Sequence, residues 1–211
     1  MARHLSLALL GTLALAPCAF AQDAGTSSAS GKHVAIVGGV ALNNPTGNAD
    51  INGARTNLDG EAVGTLGASW FINDNIAIEG WGASKAGYRM TTANGKVGSV
   101  DAQPYALSGQ YHFGSPDKTV RPFVGLGYYQ MNYDNESAQA GAALAGQRIG
   151  VETAQGPMAT VGADLNLGEH WFARGDVRYL HGNSDLSVNG VKAGEVKANP
   201  VVVGVGIGTR W

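Results

Sequence analysis

From His33 onward the chain alternates in twos. In Asn199–Trp211, Val201, Val203, Val205, Ile207, Thr209 and Trp211 share one face, and Val202, Gly204, Gly206, Gly208 and Arg210 share the other. Ala173, Gly175, Val177 and Tyr179 alternate with Arg174, Asp176 and Arg178, and Ala159, Val161, Ala163 and Leu165 with Thr160, Gly162 and Asp164. A period of two marks β-strands. Eight stretches carry it, with varying clarity: His33–Leu42, Glu61–Ile72, Ile76–Lys85, Val100–Phe113, Arg121–Asp134, Pro157–Leu167, Trp171–Leu180 and Asn199–Trp211.

The connections alternate too. Asn73–Asn75, Gly114–Val120 and Gly168–His170 are short or moderate; Asn43–Gly60, Ala86–Ser99, Asn135–Gly156 and His181–Ala198 are long. Short and long links at opposite ends of up-and-down strands are the pattern of outer-membrane barrels. The expected fold is all-β, an eight-stranded antiparallel up-and-down transmembrane β-barrel over residues 33–211. Asn94-Gly95 and Asn189-Gly190 have the chemistry of two-residue hairpin turns, expected outside the membrane.

Parity alone does not decide which face meets lipid, but the aromatic positions help. Trp70, Phe113, Phe123, Trp171 and Trp211 fall at strand ends beside short links or the chain end, whereas Tyr129, Met131, Tyr133 and Tyr179 lie toward the other end. Two aromatic bands separated by Val, Ala, Leu and Gly match interface girdles.

Composition agrees. The 211 residues include 32 Gly and are 14% charged yet 44% apolar. That excludes a disordered polar chain, and a net charge of −2 without a basic run argues against nucleic acid as a partner. Met1–Ala21 has a basic start, an apolar stretch Leu5–Ala16 and a small-x-small site at Ala19-Phe20-Ala21. This is the layout of a secretory signal peptide cut after Ala21. Gln22–Lys32 is a small, polar segment expected to be a flexible periplasmic tail.

The stretches Phe71–Glu79, Gln110–Gly114, Arg121–Gly127, Gly162–Leu165 with Trp171, Asp176–Tyr179 and Asn199–Trp211 occur in the order seen in the outer membrane protein W family, which the chain resembles. The ending departs in Trp211, where Phe is usual, and in Thr209, where Tyr is common. The resemblance implies residence in the cell outer membrane and contact with bilayer lipid and lipopolysaccharide. It implies assembly through the C-terminal strand, and a narrow passive conduit for small, often hydrophobic molecules. A monomer is expected.

On the assigned parity the bore holds Glu79, Asp164, Arg174, Asp176, Arg178 and Arg210, with Gln110, His112, Gln130 and Asn132 as neutral polar groups. Asp164 is expected to pair with Arg174 or Arg178, and Glu79 to complete a bridge from the far wall. The apolar lumen candidates are Val37, Trp81, Val124, Leu126, Tyr128, Met158 and Leu180. Trp81 and Gln103 are gate candidates, and Pro104 marks a kink or a reset of parity. The scattered histidines have no metal-ligand spacing, and no catalytic motif occurs. His181, Ser184 and Asp185 could imitate a lipid-modifying site but read as loop residues. Neither an enzyme nor a cofactor is expected. The competing reading is a closed surface barrel whose extracellular loops bind host, phage or toxin partners.

Overall fold

The computed structural model describes residues 31–211 apart from 47, 52–53, 60, 93–94, 139–148, 189–190 and 197–198. The Met1–Ala21 leader, tail residues 22–30, Asn94 and the Asn189-Gly190 pair therefore lie outside the described residues. The strands are β1 (Val34–Asn44), β2 (Asn48–Ile51), β3 (Ala54–Asp59), β4 (Glu61–Phe71), β5 (Ile76–Ala83), β6 (Ala86–Thr92) and β7 (Gly95–His112). They continue as β8 (Val120–Ala138), β9 (Ile149–Val151), β10 (Ala154–Asn166), β11 (Trp171–Leu180), β12 (Ser184–Val188), β13 (Val191–Val196) and β14 (Val201–Arg210).

Eight of them close a ring in the order β5-β4-β1-β14-β11-β10-β8-β7 and back to β5, every pair antiparallel. This is the eight-stranded barrel that the alternation predicts. The register can be walked once around it. Leu165 pairs with Ala173, then Ile207, Gly38, Leu66, Gly82, Tyr105, Gln130 and finally Gln155, ten residues from the start on the same strand. With a rise of about 3.3 Å and a strand spacing of about 4.8 Å, that stagger gives a tilt of about 40° and a backbone diameter of about 16 Å. Each residue then climbs about 2.5 Å, so ten span about 25 Å, the height of an outer-membrane apolar band.

The faces segregate. Outward positions include Ile36, Val40, Leu66, Ile78, Leu107, Leu126, Val161, Val205 and Ile207, all exposed. Trp70, Phe113, Trp171 and Trp211 are exposed at the short-turn end. That end is stitched by asparagines. Asn73 Oδ1 accepts from the backbone N–H groups of Asn75 and Ile76, while Asn75 Nδ2 donates to the carbonyls of His112 (2.8 Å) and Gly114 (2.9 Å).

The stretches expected as long loops contain strands. β7 and β8 run on beyond the barrel, and β6, β3, β2, β13, β12 and β9 extend the sheet from them. Gly95 opens β7 opposite Thr92, so it is a strand residue and not, as expected, a turn residue; Val188 faces Val191 across the second Asn-Gly pair. Pro104 itself keeps the alternation of β7; the register shift of that strand lies before it, between Ser99 and Asp101. Pro104 stays in register with Met131 and falls where the other edge of β7 passes from β5, last paired at Tyr105, to β6, first paired at Ala102. A missing N–H is tolerated where no ladder requires it.

Candidate functional site

The bore is filled from its short-turn end by an ionic network. Arg174 donates to Asp164 through Nε (2.7 Å) and Nη2 (3.0 Å), and Arg210 Nη2 adds a third bond to Asp164 at 2.9 Å. Arg174 Nη1 reaches Glu79 Oε2 at 2.7 Å, and Arg178 Nη1 reaches Glu79 Oε1 at the same distance. Arg178 Nη2 donates to Asp176 at 2.8 Å. Apart from the slightly exposed Asp176, these side chains are buried. Bidentate guanidinium–carboxylate bonds hold both position and orientation.

The topology gives the Glu79 bonds their meaning. Glu79 is on β5 and its arginines are on β11, four strands away by either route around the ring. They are diametrically opposed, and the pair of bonds is a strut across the full width of the bore. Stacked rings support it: the Arg178 guanidinium lies 4.6 Å from the centre of Trp81, Arg174 lies 4.6 Å from Phe123, and Arg210 lies 4.4 Å from Phe172.

The strut divides the bore into two lobes. On the β4–β1–β14 side the wall is Gly67, Ala41, Val37, Gly204 and Gly206, and a narrow recess, with room for little more than a water molecule, lies between it, Trp81, Arg174, Asp176 and Arg178. A Cβ at Gly67 would meet Glu79 and Trp81 at ordinary contact distances of 3.5–3.8 Å, whereas one at Gly206 would lie 2.8 Å from the Gly38 carbonyl oxygen. On the β7–β8–β10 side stand Ser108, Gln110 and Thr160, all buried. Ser108 Oγ, Gln110 Nε2 and Thr160 Oγ1 have no hydrogen-bond partner among the described residues.

The structure thus gathers Glu79, Trp81, Asp164, Arg174, Asp176, Arg178 and Arg210 in one contact network. Val37, Met158, Leu180, Gln110 and His112 also face inward. Other expectations are corrected. Phe123, placed at the membrane interface by sequence, is 0% exposed and stacks on His112 at 5.0 Å inside the bore. Val124, Leu126 and Tyr128, expected in the lumen, are exposed on the outer face, Leu126 at 75%. Tyr129 and Met131, expected in the outer aromatic band, are buried inside. Gln130 is exposed and Asn132 shares its outward face.

One cause explains all of β8. Its two faces are both apolar and aromatic, so alternation does not say which faces lipid. Arg121 decides it: fully buried, it donates to the Asp74 carbonyl oxygen at the short-turn end, and every second residue from it points inward. At a strand end an arginine facing lipid costs only about 0–1 kcal/mol, so the signal it gave in the sequence was weak. Gln103, expected as a gate, lies on the outward face of β7, because its neighbours Ala102 and Pro104 are the buried ones. Counting Arg121, the bore carries four guanidiniums against three carboxylates. Among the described residues no group of histidine, cysteine and carboxylate side chains could hold a metal.

The sequence profile of the OmpW family matches residues 34–211. Outer membrane protein W of Vibrio cholerae serotype O1 is 27% identical over 157 residues, covering 70% of this chain and 71% of that protein. Outer membrane protein AlkL of Ectopseudomonas oleovorans is 27% identical over 156 residues, 72% of this chain and 61% of that protein. The crystal structure of OprG from Pseudomonas aeruginosa superposes with a TM-score of 0.76 at 20% identity, over 90% of this chain and 99% of that one. The solid-state NMR structure of AlkL in DMPC bilayers gives 0.62 at 22% identity, over 90% of this chain and 94% of that one. At these identities the structural likeness speaks for the fold.

Proposed function

The chain belongs to the OmpW family and resides in the outer membrane, and from that premise we propose that its barrel is a narrow passive conduit for small molecules with apolar character. The observation that supports this reading is the recess beside the strut. It combines a wall of glycine, alanine and valine with the Trp81 ring, so an apolar portion of a solute has a surface to lie on. Arg174, Asp176 and Arg178 border the same space and offer hydrogen bonds to a polar end. The walls make the path selective by size: eight strands leave room for side chains or one small ligand. The strut holds the path closed to hydrated ions, because its charged groups are ion-paired and buried.

In the same reading the leader Met1–Ala21 exports the chain, β14 and the Trp211 that follows it present it to the assembly machinery, and the barrel works as a monomer. The short turns face the periplasm. Trp81 lines the recess, held by Arg178, and is the gate residue.

Solute uptake tests the proposal. Protein reconstituted in liposomes is assayed by swelling in a series of small solutes of rising apolar content. Uptake should exceed that of protein-free liposomes and fall several-fold in Gly67→Leu, whose side chain fills the recess. Equal uptake by Gly67→Leu would remove the recess from the path. The strut itself favours a second reading, a closed surface barrel whose long hairpins bind host, phage or toxin partners. That reading gains if the wild-type protein admits no solute in the series.

A further inference from the structure

The amides that proved to lie on the outside form a patch. Gln130 on β8 stands opposite Tyr105 on β7 and Gln155 on β10, and Gln103 on β7 stands opposite Asn132 on β8. Gln130 and Gln155 are exposed, and Gln130 Nε2 donates to Asn132 Oδ1 at 3.0 Å. Just below them Tyr105 and Tyr128 are exposed at 48% and 55%, and Tyr179 on β11 packs beside His181 at 6.1 Å between ring centres.

Height fixes what surrounds the patch. Gln155 is eleven residues above Asn166, the last residue of β10, which at about 2.5 Å per residue is close to the top of an apolar band about 25 Å tall. In hydrocarbon these carboxamides would be costly; at the headgroup level they have partners. The other half of the barrel carries Leu42, Ala62, Gly64, Ser84, Lys85 and Val201 near the same height, with no aromatic ring among these residues.

The chemistry narrows the partner. A carboxamide both donates and accepts hydrogen bonds, as a sugar hydroxyl does. A tyrosine ring adds a flat apolar face with a polar tip. The outward face of the four strands at this level carries no lysine or arginine among the described residues, and Asp101 follows on the same face of β7. The nearest lysine, Lys85 between β5 and β6, is exposed beside Ala102 but already has an interaction partner, so the patch itself offers hydrogen bonds and not a counter-charge. We propose that the Gln103–Gln130–Asn132–Gln155 patch with its tyrosines binds the sugar headgroup of an outer-leaflet glycolipid through hydroxyls and not through phosphate.

The test uses the whole protein in phosphatidylcholine nanodiscs with and without lipopolysaccharide, read by unfolding temperature. Lipopolysaccharide should raise the wild-type midpoint by several degrees, and dephosphorylated lipopolysaccharide should do the same. The rise should be at least halved in the Gln130→Leu/Gln155→Leu variant, which replaces two lipid-facing side chains and keeps the barrel folded. It should be unchanged in Gly67→Leu, so failure of the conduit reading and failure of this one are distinguishable. No rise in the wild type, an equal rise in the double variant, or a rise that needs the phosphates would overturn the proposal. So would a rise accompanied by cross-linking of two copies through these strands.

Discussion

The two halves of this barrel have the same backbone and opposite linings. Above Phe71 and Arg210, which fill the short-turn end, strands β4, β1 and β14 face the bore with Gly67, Val37, Ala41, Gly204 and Gly206, and leave a recess. Strands β7, β8 and β10 face it with Gln110, His112, Arg121, Phe123, Thr160 and Asp164, and leave almost none of these atoms exposed. Side-chain volume, not strand number, therefore decides where the bore leaves room. The strut from β5 to β11 marks the boundary and belongs to neither half.

The comparison can be broken most forcefully at the boundary. Glu79→Ala leaves Arg174 and Arg178 each without one bond, and removing one partner of a buried pair costs about 3–5 kcal/mol. Urea titration of refolding should show a loss of that size. A loss below about 1 kcal/mol would mean that the strut is solvated and the lobes communicate.

Next comes the outer face. Val205, exposed near mid-height on β14, should cost about 2–4 kcal/mol on replacement by arginine if it meets the bilayer midplane. Tolerance of Val205→Arg would reverse the assignment of inside and outside.

The glycine wall predicts a graded pair. Gly206→Ala forces a Cβ against the Gly38 carbonyl at 2.8 Å and should cost about 1–3 kcal/mol by overpacking. Gly67→Ala meets only ordinary contacts and should stay within about 0.5 kcal/mol. Equal costs would mean that the recess is not confined to Gly67's side of the wall.

The smallest effect belongs to the polar lobe. Thr160→Val removes a hydroxyl without a partner among the described residues, and deleting an unsatisfied group should be neutral or slightly stabilising, within about 1 kcal/mol. A larger loss would show that the hydroxyl is hydrogen-bonded in the membrane.

Much of this arrangement was legible in the chain. Strands β11 and β14 have one charged or glycine face and one apolar face, so only one orientation satisfies both lipid and bore. Consecutive strands pair, which puts Asp164 opposite Arg174. The ring order sets Glu79 against β11 from the far side. Strand β8 was not legible by alternation, because Phe123 and Val124, and again Tyr128 and Tyr129, put apolar groups on both faces. Only Arg121 broke the tie, and weakly. The hairpins β6–β7 and β12–β13 were signalled by their Asn-Gly pairs, whereas β2, β3 and β9 were not, because their segments mix Gly, Asn, Asp and Ser with few apolar pairs. Their pairing follows from β7 and β8 running past the barrel, a property of register and not of local composition.

The central claim is that the strut closes the bore, and single-channel recording of Glu79→Ala/Arg178→Ala in planar bilayers tests it most directly. The double change removes one charge of each sign and leaves three guanidiniums against two carboxylates among the bore side chains named above. The wild type should be closed or nearly so, and the variant should carry a clearly larger, weakly anion-selective current while keeping its folded mobility on gels. A correctly folded variant with the wild-type conductance and selectivity would contradict the claim.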